Sequence, residues 1–192
     1  MFSIFDIISV FYCILAVGVV RRLIKYRQSF WDDYITPQDR RLVTEVSFFI
    51  LIPIGVLLHE FGHALATWQS GGTVADFEWR IFWGYIVPDG VFTPVQRWWI
   101  ALSGNLVSVL IGIIPLFVVK TIQKPVVREI LLYFAKIELI YSLIFYPIFS
   151  FVGYMGDWVR IYDFSVKPYA QITLAVHIAL LIFLWRKGVF KG

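Results

Sequence analysis

The chain has 192 residues, 59% of them apolar and 19% aromatic, and a net charge of +4. A soluble domain of this length could not bury so much apolar surface, and a mean hydropathy of +0.77 places the chain among integral membrane proteins. The basic residues cluster beside apolar stretches, so the partner they imply is the anionic headgroup layer of a lipid bilayer and not nucleic acid.

Five apolar stretches are long enough, or nearly so, to cross a bilayer as helix, which takes about 20 residues. They cover roughly residues 2–20, 46–68, 98–119, 127–152 and 170–185. Helix is expected over strand because the runs are continuous and lack period-2 alternation. The first stretch has Asp6 as its only charge, and its bases follow it as Arg21, Arg22, Lys25 and Arg27. That order suits an uncleaved anchor helix, not a signal peptide. The single cysteine, Cys13, cannot form an internal disulfide.

Residues 21–45 mix charges with Phe30, Trp31 and Tyr34 and are expected along the interface. Gln69-Ser70-Gly71-Gly72 stops the second helix. Residues 73–87, rich in β-branched and aromatic side chains, read as a short hairpin dipping into the interface, and Pro88-Asp89-Gly90 as a turn. An edge of that hairpin can pair with an extended peptide. Trp98, Trp99, Trp158 and Trp185 read as interface anchors. The expected fold is an all-α polytopic membrane protein of about five transmembrane helices with a short membrane-associated β-hairpin, forming one membrane-embedded domain over residues 1–192. Lys and Arg number twelve in residues 21–45, the third connection and the C-terminal tail, against four on the opposite side (Arg80, Arg97, Arg160, Lys167). This charge excess favours an outside N-terminus and a cytoplasmic C-terminus.

The second stretch contains His59-Glu60-Phe61-Gly62-His63. Histidines at i and i+4 stand one above the other on a helix face, so both imidazoles can bind one Zn²⁺. Glu60 is placed to take a proton from a water activated by that metal without binding the metal itself. If the helix begins near Val46, His59 lies about 20 Å along it, within the hydrocarbon zone. Ionisable residues there are costly and usually functional.

A catalytic zinc takes three protein ligands and keeps one position for water. Asp157, in Gly153-Tyr154-Met155-Gly156-Asp157-Trp158 at the close of the fourth stretch, is the chosen third ligand. Asp163, in a more polar segment, is a competitor, and Glu138 would make a different zinc site. His177 reads as a hydrogen-bonded structural histidine or a proton relay. Lys136 and Glu138, two apart on a helix, do not face each other. Asn105 reads either as a donor to substrate or as a helix-packing contact.

His59-Glu60-Phe61-Gly62-His63-Ala64, then Gly71-Gly72, then an aromatic hairpin, resembles the site-2 protease family of intramembrane metalloproteases, peptidase family M50, in a divergent M50B-like branch. The resemblance implies a three-helix catalytic core. Its helices carry H-E-x-x-H, A-G-P-x-x-N and L-D-G, the Asp of the last being the third zinc ligand. Ser103-Gly104-Asn105-Leu106-Val107-Ser108 falls at the second motif, keeping Gly104 and replacing its proline with Asn105 and its asparagine with Ser108. Gly156-Asp157-Trp158 falls at the third and keeps the Asp. The domain then divides into an anchor helix and connection (1–45), a catalytic core (46–160) and a C-terminal helix (161–192). The resemblance makes the expected activity that of an intramembrane zinc endopeptidase with one Zn²⁺ per chain. His59, His63 and Asp157 would bind the metal, and Glu60 would be the catalytic base. Its substrate would be a membrane protein or peptide, with a regulatory partner possible. A non-catalytic scaffold that keeps the fold is the rival.

Overall fold

A computed structural model of the protein describes residues 4–190. Phe2, at the start of the first apolar stretch, and Lys191, counted in the basic tail, lie outside the described residues. Nine α-helices and one two-stranded antiparallel sheet follow in chain order among the described residues. The helices are α1 (Ile4–Lys25), α2 (Arg27–Phe30), α3 (Pro37–Val46), α4 (Ile52–Gln69), α5 (Pro94–Val118), α6 (Pro125–Ile140), α7 (Tyr146–Gly153), α8 (Asp157–Ile161) and α9 (Tyr169–Arg186). The strands β1 (Thr73–Trp79) and β2 (Gly84–Asp89) lie between α4 and α5.

Five stretches of helix among the described residues are long and apolar enough to cross a membrane. They are Asp6–Lys25, Pro37–Gln69, Pro94–Thr121, Pro125–Gly153 and Tyr169–Arg186. The protein is therefore an all-α, multi-pass membrane protein carrying a small hairpin. Its outer faces are apolar, as at Phe117, Val152 and Ile172, because lipid and not water is the solvent there.

Two spans start with the same device. Thr36-Pro37-Gln38-Asp39 and Thr93-Pro94-Val95-Gln96 each place a threonine before a proline, and the threonine oxygen accepts from the backbone N–H three residues on. The Asp39 or Gln96 side chain answers with a bond back to the threonine N–H. That reciprocal box satisfies donors that helix geometry leaves bare. The expected interfacial segment at residues 21–45 is mostly helical, since α2 and α3 fill it. Phe30 there is fully buried, packed with Val19, Leu42, Val43, Val126 and Ile130.

Two spans are interrupted by a π-helical turn, at Ser47–Leu51 before α4 and at Tyr141–Phe145 before α7. Each is followed at the second position by a proline, Pro53 or Pro147. The first π turn ends with Ile52 N–H bonded to Ser47 O. Pro53, next in that register, has no N–H to offer the Phe48 carbonyl. The Tyr12 hydroxyl of α1 donates to that carbonyl instead. In the second case Tyr146 N–H bonds Tyr141 O, and where the α register resumes Pro147 has no N–H for the Leu143 carbonyl, which accepts from His177 Nε2–H of α9 at 2.9 Å. The outer helices α1 and α9 thus close backbone accounts that prolines open inside the core.

The hairpin runs further than expected, through Pro88 and Asp89, which by sequence read as a turn. The chain reverses at Arg80–Trp83, where Arg80 N–H bonds Trp83 O at 2.8 Å, while Pro88 and Asp89 belong to β2 and pair with Val74 and Thr73. Proline is tolerated in β2 because a two-stranded sheet consists only of edge strands. Trp158 also differs, being buried against the His177 ring with centroids 4.6 Å apart. It packs the interior and does not anchor the interface.

Candidate metal centre

Helix α4 presents His59 and His63 on one face, one turn apart, and α5 packs closely against that face. Gly104 makes this approach possible, because a Cβ there would stand 2.3 Å from His63 Nε2. Asp157 comes from a different direction. Helix α7 ends with Tyr154 in the left-handed conformation, and Gly156 at φ +96° turns the chain so that α8 begins at Asp157. A side chain on Gly156 would meet Ser150 Oγ at 2.8 Å, so both its backbone angle and its space require glycine.

These elements bring three of the residues named from the sequence together. His59 Nε2, His63 Nε2 and Asp157 Oδ2 stand 3.0, 3.3 and 3.1 Å from one another. Three ligand atoms about 2.0–2.1 Å from a tetrahedral zinc would be spaced about 3.3 Å apart. The donor set also has the right chemistry. His63 Nδ1–H donates to the Ile100 carbonyl at 2.6 Å, and since a carbonyl only accepts, Nε2 of the neutral imidazole is the nitrogen that carries the lone pair. A bare nitrogen and a carboxylate oxygen at that distance repel each other unless a cation or proton lies between them. The residues present fit a zinc ion.

Asp157 Oδ2 is held by further donors, Tyr146 Oη at 2.9 Å and Asn105 Nδ2 at 3.3 Å. Burial works against ionisation of Asp157, yet positive charge on the His63 and His59 rings, protonated where no metal lies between them, holds its carboxyl well below the usual carboxylate range. Glu60 is buried beside the cluster, near enough to interact electrostatically with all three groups. The hairpin closes over it. Gly84, the first residue of β2, lies so near that a Cβ there would be 2.8 Å from Glu60 Cγ. The hairpin is fixed in turn by Trp79 Nε1, which donates to the Pro53 carbonyl at 3.0 Å, and by Arg80, which pairs with Asp6 of α1.

The competitors fall elsewhere. Asp163 Oδ1 accepts from Ser165 N–H at 3.0 Å in an exposed loop. Glu138 is buried behind His59, on its Nδ1 side, beside the Ser108 hydroxyl. His177 is engaged through both nitrogens, with the Tyr162 hydroxyl and the Leu143 carbonyl. Tyr146 and the Ile100 carbonyl were not legible in the sequence. A tyrosine hydroxyl within an apolar run was the available signal for the first, and a main-chain group gives none.

The family model described as Peptidase M50B-like matches residues 47–186. The chain belongs to that family, and membership makes it a membrane protein of a metallopeptidase class. No curated protein and no solved structure matches it.

Proposed function

We propose that the protein is an intramembrane zinc endopeptidase that hydrolyses peptide bonds of membrane-anchored polypeptides. The observation that carries the reading is the convergence of His59 Nε2, His63 Nε2 and Asp157 Oδ2 at zinc-ligand spacing, with the Glu60 carboxylate beside them. When bound, zinc supplies Lewis acidity, lowering the pKa of water toward neutrality and polarising a carbonyl. His59, His63 and Asp157 hold it. Glu60 takes one proton from the attacking water as the new C–O bond forms. It delivers that proton to the departing amine nitrogen as the C–N bond breaks. Tyr146 Oη and Asn105 Nδ2 donate to the Asp157 carboxylate and hold it in place. A helical substrate shields its amides with its own hydrogen bonds, so it must unwind to be cut. The edge of β2, lying over Glu60, offers the extended backbone a pairing partner.

The test is purified protein in liposomes with a membrane-anchored reporter peptide, alongside metal analysis. The wild type should contain one zinc per chain and cleave the reporter. Glu60→Gln should keep the zinc and lose at least ~100-fold in rate. Asp157→Ala should lose both. Wild-type protein free of stoichiometric zinc would overturn the mechanism. Full function in Glu60→Gln would favour a scaffold.

A further inference from the structure

Two ligands of the same kind are oriented by different means. His63 is held by a main-chain carbonyl, that of Ile100. His59 Nδ1 instead meets a side chain, Ser108 Oγ, at 3.1 Å. The Glu138 carboxyl of α6 lies beside the same hydroxyl, close enough to serve as its partner. Glu138 and Ser108 are only 5% and 4% exposed, deep in the packed helices. A carboxyl group so placed is expensive in a membrane unless it has a task. Room has been kept for it, since a Cβ on Gly55, one turn before His59, would stand 3.1 Å from Glu138 Oε2.

The chain of bonds has a direction. A hydroxyl carries one proton. If Ser108 gave it to His59 Nδ1, the imidazole proton would sit on Nε2 and block the metal. If Ser108 gives it to Glu138, its oxygen can only accept from His59, so the imidazole proton sits on Nδ1 and Nε2 is bare. Given the reading of His59 as a zinc ligand, on which the idea rests, we infer that Glu138 is a positioning residue that acts through Ser108 to hold His59 in its metal-binding tautomer. The two ligands then reach the same state by unequal routes. For His63 the main chain dictates it. For His59 a three-helix relay dictates it, and that relay is open to mutation.

The experiment measures zinc affinity by chelator competition, with the visible spectrum of the cobalt-substituted protein as a second readout, on full-length protein in detergent. Ser108→Ala and Glu138→Leu should each weaken zinc binding by ~10- to 100-fold and shift the cobalt bands. The double variant should be no weaker than the worse single one, because both break one relay. Ser108→Thr, which keeps the hydroxyl, should restore affinity. Glu138→Gln preserves shape and serves if the leucine variant fails to fold. Its amide donates as well as accepts, so Ser108 is no longer committed and affinity falls by a smaller factor. Wild-type affinity and spectrum in Ser108→Ala and Glu138→Gln would overturn the relay while leaving the zinc site standing. Additive losses would also overturn it. If Glu138→Gln lost the metal entirely while Asp157→Ala kept it, Glu138 would be a ligand and the proposal wrong. Absence of zinc from the wild type would instead show that the underlying reading had failed.

Discussion

Gly104 and Tyr146 act on the metal centre from opposite sides, one by leaving space and the other by filling it. A methyl group on Gly104 would stand 2.3 Å from His63 Nε2, in the space the imidazole occupies. Gly104→Ala is therefore expected to displace the ligand and cut zinc affinity by ~100-fold or more, measured by chelator competition. Tyr146→Phe removes a single hydrogen bond to Asp157 Oδ2 and leaves the ring, which lies edge-on to His59 with centroids 5.9 Å apart. Here the expected loss of affinity is about tenfold, with the melting temperature little changed. A fall in rate with zinc affinity unaltered would instead assign the hydroxyl to the reacting carbonyl. The i, i+4 histidines were legible because helix geometry alone puts them together. Asp157 was legible through its order in the chain and its charge. Ser108 as a partner of His59 was not, because that contact depends on how α5 seats on α4.

The π turn between α6 and α7 has a geometric effect on the site. Glu138 and Tyr146 are eight residues apart, which in an uninterrupted α-helix would set them about 80° around from each other. The additional residue of a π turn takes up about 100° of that rotation and brings both onto nearly the same face, toward His59. Deleting the half-exposed Phe145 should let the span relax to regular helix. Glu138 and Tyr146 would then be seven residues apart in α-helix and still within about 20° of one face, so zinc should stay bound in protein that remains helical by circular dichroism. The five spans were readable from hydropathy, since length and continuity suffice. The π turns were not, because no residue type marks them, although a proline follows each. Pro88 and Asp89 read as a turn because Pro88-Asp89-Gly90 carries strong turn chemistry, but pairing with Val74 and Thr73 keeps both in β2.

At the scale of the whole molecule the charges sort by face. Lys124 Nζ reaches Asp33 Oδ1 at 3.0 Å, joining two of the basic connections on one side of the helices. The hairpin meets α1 near Asp6, at the other end of that helix. By the Lys and Arg count the hairpin end faces outward. With Cys13 replaced by serine, a cysteine at the fully exposed Val91 should react with an impermeant maleimide in sealed cells. One at Lys124 should react only after permeabilisation. The reverse pattern would invert the orientation. The Tyr12 and His177 donors have a consequence for dissection of the chain. Residues 46–160 contain every group assigned to the chemistry, yet cut free they would carry the Phe48 and Leu143 carbonyls bare into hydrocarbon. The helices outside that interval are therefore not trimming. The smallest fragment able to keep its shape in lipid runs from α1 through α9, and a search for a portable catalytic module within it should come back empty-handed.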